Sequence, residues 1–399
     1  MTWNLASIDD AELASLAREW TFPADSIYLN HGSFGPPPRE VRIARRDWID
    51  RLDDQPMQFY VRDLEPAWLA ARRRLAEFVN AREQDLAFVE NATYGMNVVA
   101  ESVRLQAGDE VLLNAQEYGA VRRIWERACA RCGARIVDAP FELPVRSHDA
   151  IADAILDRIT SRTRLIIVSH ITSAGAVTMP VERIVAEAHA RGVAVCIDGP
   201  HAIAQLPVDL ESLAADYYVA SLHKWLSAPL GSGFVHVREE HRASVRPPLL
   251  SWGRLLPALP ERWDEQFRWT GTRDPSPYLT VPTAIGFLER FGLERFRDVT
   301  FEMARRVRRE LESLLGQPAI VPDDRAYYGC MTEVLLPEGD WSGLQDRLRR
   351  EEGIEVPIVR LDERWAVRVS CHLYVRRAHI DRLMQGLERL VVRAATGRA

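Results

Sequence analysis

The chain has 399 residues, with 51 basic and 57 acidic side chains, a formal net charge of −6 and 47% hydrophobic residues. This is the composition of an ordinary globular protein, and the acidic balance argues against a nucleic-acid partner. The sequence lacks an apolar run of the ~18 residues that a membrane span requires, and acidic residues occupy the place of a signal peptide's basic start. Five cysteines, with one isolated C-x-x-C pair (Cys129 and Cys132), predict a cytoplasmic protein without disulfides or a metal site.

The chain starts with a predicted helix over 9–20 and a glycine- and proline-rich stretch over 30–38. Short apolar runs then alternate with stretches of helical periodicity as far as residue 237. The predicted strands are 85–89, 110–114, 135–138, 165–169, 193–198, 217–220 and 233–237, and the helices between them are 93–103, 119–132, 147–159 and 181–191. This alternation predicts an α/β fold with a mainly parallel seven-stranded sheet and helices on both faces.

Prolines crowd residues 242–282, where the alternation stops, and they predict a linker and loop region. Helices are predicted beyond it at 283–291, 293–315, 341–352 and 378–395, with strands at 331–336 and 366–370. This part of the chain predicts a smaller α+β domain. We therefore expect an N-terminal segment (1–40), a large domain (41–265) and a small C-terminal domain (266–399).

Lys224 is the single lysine among the 51 basic residues. An average chain of this length carries on the order of twenty lysines. Arginine replaces lysine as a surface cation, but its guanidinium stays protonated and cannot form a Schiff base. A lysine that survives this bias is a candidate chemical residue, and chance survival on the surface is the alternative.

Two predicted strands of the large domain end in residues that complement each other chemically. Asp198 ends the strand 193–198, and Lys224 follows the strand 217–220, 26 residues later. Ligands of open α/β sheets bind beyond the carboxyl ends of the strands. Pyridoxal 5′-phosphate (PLP) requires an amine for a Schiff base and a carboxylate that keeps the ring nitrogen protonated. The two residues together therefore predict a PLP site.

The other strand ends suit the same cofactor. Ala92 and Thr93 open a helix after the strand 85–89, and the N–H groups of a helix start favour a phosphate; a plain threonine cap is the alternative. Ser221 and His223 lie beside Lys224, and Tyr118 offers an aromatic face after the strand 110–114.

Seven short motifs between Tyr28 and Tyr374 carry a family resemblance. They are Tyr28-Leu29-Asn30-His31-Gly32-Ser33-Phe34-Gly35, Asn91-Ala92-Thr93, Ser169-His170-Ile171-Thr172-Ser173, Asp198-Gly199-Pro200-His201-Ala202, His223-Lys224-Trp225, Trp269-Thr270-Gly271-Thr272-Arg273-Asp274 and Arg368-Val369-Ser370. With these motifs the chain resembles PLP-dependent enzymes of the class V aminotransferase superfamily (fold type I). Within that superfamily it is most similar to the isopenicillin N epimerase-like branch.

The resemblance implies a role for individual residues. Lys224 would form the Schiff base and move the proton at Cα, and Asp198 would pair with the pyridine nitrogen. The other cofactor contacts would come from Ala92, Thr93, Tyr118, Ser173, His201, Ser221 and His223. Gly271 and Thr272 would close the phosphate site of the neighbouring subunit, which implies a homodimer with a shared active site. Arg368 would bind the α-carboxylate of an amino-acid substrate, with Asn30 and His31 near that substrate.

The resemblance leaves the reaction open, because PLP enzymes share a carbanion at Cα and the protein decides its fate. Epimerisation needs an acid or base on each face of Cα, and the sequence identifies Lys224 for one face only. A β-elimination (C–S) lyase and an aminotransferase each need only that lysine. Cysteine desulfuration is not expected, because the loop 357–365 contains no cysteine. We expect an epimerase or racemase that acts on an amino acid or a peptide-like amino acid, with a lyase as the first alternative.

The chain departs from the family pattern at two positions. Pro200 stands where the family often has alanine, and Val375 stands where it often has asparagine. Both departures concern the substrate pocket rather than the cofactor.

Overall fold

The structure, a computed structural model, describes residues 8–253 and 260–393. Its strands are β1 (Ile27–Tyr28), β2 (Leu86–Val89), β3 (Glu110–Asn114), β4 (Arg135–Ala139), β5 (Thr163–Ser169), β6 (Ala194–Asp198), β7 (Tyr217–Ser221), β8 (Gly233–Val237), β9 (Met331–Leu335), β10 (Ile354–Glu355), β11 (Ile358–Leu361) and β12 (Arg364–Ser370). Its α-helices are α1 (Asp10–Leu16), α2 (Arg39–Asp54), α3 (Pro56–Gln58), α4 (Leu64–Phe78), α5 (Ala92–Ser102), α6 (Gly119–Cys132), α7 (His148–Leu156), α8 (Val181–Ala190), α9 (Leu210–Leu213), α10 (Ser276–Leu279), α11 (Val281–Phe291), α12 (Leu293–Leu315), α13 (Leu344–Glu352) and α14 (Arg377–Leu387).

Seven strands form the central sheet in the order β2-β8-β7-β6-β5-β3-β4. Strand β8 runs antiparallel to both of its neighbours, and the other six strands share one direction. Every residue of β2, β3, β7 and β8 is buried, as expected where helices cover both faces of a sheet. The predicted α/β sheet is confirmed, and its strands lie within two residues of their predicted bounds.

The sequence prediction missed two helices near the N-terminus. In α4 the buried residues follow a 3.6-residue period, so a helical signal was present; they are Leu64, Trp68, Ala71, Arg72, Leu75 and Ala76. In α2 only Val41 is buried, but Trp48 and Leu52 follow it at helical spacing and pack against the core, so a helical signal was present there too. The predicted loop region 242–282 also contains a short helical turn over Trp263–Phe267 and the helix α10.

The second sheet has three antiparallel strands in the order β11-β12-β9. The N-terminal segment joins this part of the chain, because β1 pairs in parallel with β10. The Ser370 amide donates to the Leu29 carbonyl over 3.0 Å, and the Gly32 amide donates to Ser370 Oγ over 3.1 Å. These bonds hold residues 29–32 beside the end of β12.

The division of the chain at residues 40 and 265 stays a prediction. Helices α10 and α11, which belong to the predicted small domain, pack against α2 and α4 of the predicted large domain. All five cysteines are free thiols. Within residues 8–253 and 260–393, each helix is too short or too polar to cross a membrane.

Asp216 stabilises the edge of the central sheet that lies away from the carboxyl ends of the strands. It is buried just before β7, and its carboxylate accepts hydrogen bonds from the Val195 amide at 2.7 Å, His189 Nε2 at 2.7 Å and His241 Nε2 at 2.6 Å. One carboxylate thereby connects α8, β6 and the turn that follows β8.

We expect Asp216→Asn to lower the free energy of unfolding by about 2–3 kcal/mol, since the amide loses charge-assisted hydrogen bonds in a buried position. Urea-induced unfolding measures the change. Asp50→Asn is the control, because Asp50 is exposed on α2. Equal stability of the two variants would contradict this role for Asp216.

Candidate active site

The carboxyl ends of five parallel strands surround one cavity of about 290 Å³. Nine of the predicted site residues line it, although they come from segments more than a hundred residues apart. They are Ala92, Thr93, Tyr118, Ser173, Asp198, His201, Ser221, His223 and Lys224. The structure therefore brings together most of the site residues that the sequence predicts at the strand ends.

Lys224 presents an amine of lowered pKa to this cavity. Burial lowers the pKa of its amine to about 7, with a smaller contribution in the same direction from Arg368, while the negative charge of Asp198 opposes the shift. Its Nζ lies 2.8 Å from His201 Nε2. At neutral pH a large share of the Lys224 side chain is therefore the nucleophilic free amine.

The His201 ring is oriented by its other nitrogen. The buried Trp225 indole N–H donates to His201 Nδ1 at 3.4 Å. Burial holds the pKa of His201 well below its usual value, so its ring is neutral. A neutral ring that accepts at Nδ1 carries its proton on Nε2, from which we infer that it donates this proton to Lys224 Nζ. This contact favours the unprotonated lysine.

Asp198 carries an unsatisfied acceptor in the same cavity. It is buried at the end of β6, and its Oδ1 has no hydrogen-bond partner. Burial, and then the charge of Glu117, raise the pKa of Asp198 well above its usual value, whereas Lys224 acts in the opposite direction. An unpaired buried carboxylate oxygen is costly, and a protonated ring nitrogen would supply the missing donor.

The start of α5 forms the other end of the cavity. The Asn91 side chain caps the helix by accepting from the Tyr94 amide, and the Ala92 amide donates to Ser221 Oγ at 2.9 Å. Gly95 allows the close approach of α5 to β7, because a Cβ there would lie 3.1 Å from Val219. The 11-residue helix thus presents its positive end to the cavity, which suits a phosphate group.

Glu117 is a site residue that the sequence reasoning missed. Its buried carboxylate accepts from Asn114 Nδ2 at 2.6 Å, from Ser169 Oγ at 2.6 Å and from the Tyr118 amide at 3.0 Å. It lies close enough to Asp198 to raise the pKa of that residue. Its place directly after β3, next to Tyr118, was a usable signal, because it is a strand-end position.

Arg368 lies beside the cavity rather than in its lining. The guanidinium is buried, donates from Nη1 to the Ser173 carbonyl and from Nη2 to Ser33 Oγ at 3.0 Å, and lies 3.5 Å from Asn30 Oδ1. Asn30 and Arg368 are therefore adjacent, as a shared substrate contact would require. Their roles toward a substrate stay predictions.

His31 lies outside the cavity lining, and its predicted place near the substrate stays a prediction. Its ring is fully buried. Nδ1 lies 3.0 Å from the Tyr374 hydroxyl, and Nε2 lies 3.0 Å from the Lys224 carbonyl. The ring thus supports the backbone of the lysine. The packing of residues 29–32 on β12 directs the His31 ring into the protein interior.

Gly271 and Thr272 do not line the cavity of their own chain. The next residue, Arg273, pairs with Glu90 and donates to the Tyr278 hydroxyl at 3.0 Å. The predicted role of Gly271 and Thr272 in a neighbouring subunit stays a prediction.

Comparison with known proteins identifies the family of the chain. Residues 62–383 match the Aminotransferase class-V family. The chain belongs to this family. Its cofactor is pyridoxal 5′-phosphate, and the unpaired Asp198 oxygen, the amine of Lys224 and the start of α5 fit that cofactor.

Two relatives of the chain are named for different activities. Isopenicillin N epimerase of Amycolatopsis lactamdurans is 38% identical over 91% of this chain and 94% of its own length. Putative L-cysteine desulfhydrase 1 of Oryza sativa subsp. japonica is 33% identical over 83% of this chain and 72% of its own length. Both comparisons extend across most of the chain.

A solved structure confirms the fold type I prediction. A mutant of C-DES with glycine covalently linked to PLP superposes with a TM-score of 0.81, covering 92% of this chain and 97% of that one at 20% identity. At this level of identity the comparison supports the fold.

The lowered pKa of Lys224 predicts how the cofactor-free protein takes up PLP. The unprotonated amine is the nucleophile, so the rate of covalent uptake should rise through about pH 7 and then level off. An ordinary lysine would continue to gain reactivity up to about pH 10. The visible absorption of the lysine-linked cofactor measures the rate.

Lys224→Arg is the matched control, because it keeps a positive charge but cannot form the covalent link. It should show no such absorption at any pH and should lose activity by at least about a hundredfold. A rate for the unaltered protein that still climbs steeply above pH 9 would contradict an amine with this pKa.

Proposed function

We propose that the protein is an epimerase or racemase that acts at Cα of an amino acid or a peptide-like amino acid. The observation that carries the proposal is the free amine of Lys224, buried in a cavity that it shares with Asp198 and the start of α5. When bound, PLP withdraws electrons from Cα of the amino acid and makes its hydrogen acidic. The residues of the chain then decide where the proton goes.

Four groups of the chain divide this work. Lys224 removes the proton from Cα and can return it, and His201 keeps the lysine amine oriented through their 2.8 Å contact. Asp198 holds the ring nitrogen protonated. Arg368 binds the α-carboxylate, with its guanidinium fixed by Ser33 and the Ser173 carbonyl.

Inversion at Cα requires a second proton donor on the face away from Lys224. We propose Tyr118, which lines the same cavity from a different strand end. Tyr118 directly precedes α6, and its side chain is half exposed. Its backbone amide donates a hydrogen bond to the Glu117 carboxylate. The 38% identity with an isopenicillin N epimerase supports the proposed epimerisation.

A β-elimination (C–S) lyase is the second candidate. It is favoured by the 33% identity with a putative L-cysteine desulfhydrase. Elimination needs Lys224 as a base and no second donor at Cα. An aminotransferase would use the same lysine and has less support from the named relatives.

Cysteine desulfuration is not proposed, because the C-terminal cysteines are unsuitable nucleophiles. Cys330 and Cys371 are buried. Burial raises the pKa of the Cys330 thiol to about 12 and likewise raises the pKa of Cys371. Neither thiol lies on an exposed loop.

We also propose a homodimer in which Gly271 and Thr272 reach the phosphate site of the other subunit. Large apolar side chains stay exposed in the single chain, among them Phe34, Leu250 and Trp252. Phe34 lies at the cavity itself. A second copy that covered such side chains would complete the site.

An experiment in D₂O separates the two candidate reactions. The PLP-loaded enzyme is incubated with isopenicillin N or with L-cysteine, and the products are analysed by NMR and chiral chromatography. Intact, inverted substrate with deuterium at Cα is the result expected for the epimerase. Release of pyruvate, ammonia and a thiol or sulfide, without inverted substrate, would replace the epimerase with the lyase.

Tyr118→Phe tests the second proton donor. Phenylalanine keeps the aromatic ring and removes only the hydroxyl, so cofactor binding should persist. We expect inversion to fall by about a hundredfold or more, while Lys224 still exchanges the Cα hydrogen of the unaltered enantiomer for deuterium. Equal losses of exchange and inversion would show that Tyr118 acts on the cofactor instead.

A further inference from the structure

A further buried carboxylate lies behind the arginine that we assign to the substrate. Glu333 occupies the middle of β9 and is paired in register with Arg368 on β12. The next pair on the same face is Met331 and Ser370. Ser370 Oγ accepts from the Gly32 amide, so this face of the sheet is turned to the segment that holds Asn30 and Ser33. Glu333 therefore belongs to the layer directly behind the substrate carboxylate site.

The two side chains have complementary unsatisfied groups. Glu333 is 3% exposed and Arg368 is 4% exposed. Neither oxygen of the Glu333 carboxylate has a hydrogen-bond partner, and Arg368 Nε has none either. Directly opposite side chains on antiparallel strands have Cβ atoms about 4.5–5.5 Å apart. The register thus brings the two side chains close together, and none of the hydrogen bonds that the guanidinium makes reaches the Glu333 carboxylate.

Arg368 is the charged group that acts on Glu333. Burial raises the pKa of Glu333 well above its usual value, and Arg368 opposes that shift. His31, in the segment in front, is neutral because burial lowers its pKa to about 3. Helix α12 packs along β9, but its Arg297 and Arg308 donate to backbone carbonyls elsewhere.

We propose that Glu333 is a positioning residue for Arg368 and that its protonation is linked to binding of the substrate carboxylate. Uncharged Glu333 leaves the positive charge of Arg368 to the substrate. Ionised Glu333 competes for that charge and weakens binding. Linkage is reciprocal, so a bound carboxylate must raise the proton affinity of Glu333 in turn. This inference rests on the proposed role of Arg368.

Propionate is a suitable probe, because it carries the carboxylate without an amino group that would itself titrate. Its Kd for the PLP-loaded enzyme is measured by calorimetry across the neutral and alkaline range. For the unaltered protein, Kd should rise with pH, by up to about tenfold per pH unit where one proton is linked to binding. Glu333→Gln, which mimics the uncharged acid, should lose this rise and keep the affinity seen at low pH. A Kd that follows the same pH course in both proteins would overturn the proposal.

A measurement without any variant guards against poor folding of Glu333→Gln. Calorimetry of the unaltered enzyme in two buffers of different ionisation enthalpy counts the protons taken up with propionate. We expect uptake of a fraction of a proton in the pH range where Kd rises. Binding without proton uptake at every pH would also overturn the proposal.

Two further variants separate this inference from the proposed function. Glu338→Gln removes an exposed acid that follows the same strand and should keep the pH course of the unaltered protein. Arg368→Gln should abolish propionate binding. If Arg368→Gln binds propionate normally, the proposed carboxylate site fails and the inference fails with it. If Arg368→Gln loses binding while Glu333→Gln keeps the original pH course, only the inference fails.

Discussion

Removal of the Lys224 amine from water is the interaction on which the candidate site depends. A lysine in solvent holds its proton until about pH 10 and is a poor nucleophile at neutral pH. Here burial lowers the pKa to about 7, and the neutral imidazole of His201 faces the amine. Two neighbouring side chains support this buried position. The Trp225 indole donates to His201, and the His31 ring contacts the Lys224 carbonyl. The chemistry of the site is therefore a product of packing as much as of residue identity.

The small sheet and the N-terminal segment complete the site from outside the parallel sheet. Residues 29–32 are held on β12 by one backbone bond to Leu29 and by the bond from the Gly32 amide to the Ser370 hydroxyl, and β12 carries Arg368. The guanidinium reaches back to the Ser173 carbonyl after β5. Three distant segments thus meet at one arginine, so a shift of the small sheet would alter the proposed substrate site and leave the cofactor end in place. In such an arrangement, changes around the arginine can alter the reaction while the cofactor-binding part of the fold stays the same.

The site contains buried carboxylates that lack hydrogen-bond partners. Asp198 and Glu333 each keep oxygens without hydrogen-bond partners, in contrast to Asp216 at the far edge of the sheet and to Glu117, whose carboxylates are fully bonded. Unpaired buried acids destabilise a fold, because the lost hydration is not replaced. Asp198 faces the cavity and Glu333 lies behind Arg368, whereas Asp85, which also has an oxygen without a hydrogen-bond partner, lies before β2 at the opposite edge of the sheet and forms salt bridges with Arg82 and Arg242. This distribution is the reason for assigning functions to Asp198 and Glu333 in place of structural roles.

Much of this protein could be predicted from its sequence, because the signals were local. Alternating strand and helix patterns determined the α/β sheet, and the arginine-rich composition singled out Lys224 as an amine kept for its chemistry. Asp198 and Thr93 followed from their positions at strand ends. Tertiary structure alone decided the rest. It turned His31 beneath the lysine, through contacts with Tyr374, 343 residues away, and it placed Glu333 behind Arg368. These outcomes depend on burial and on charges contributed by distant segments, and the pKa of a side chain is set by those surroundings rather than by its neighbours in the chain.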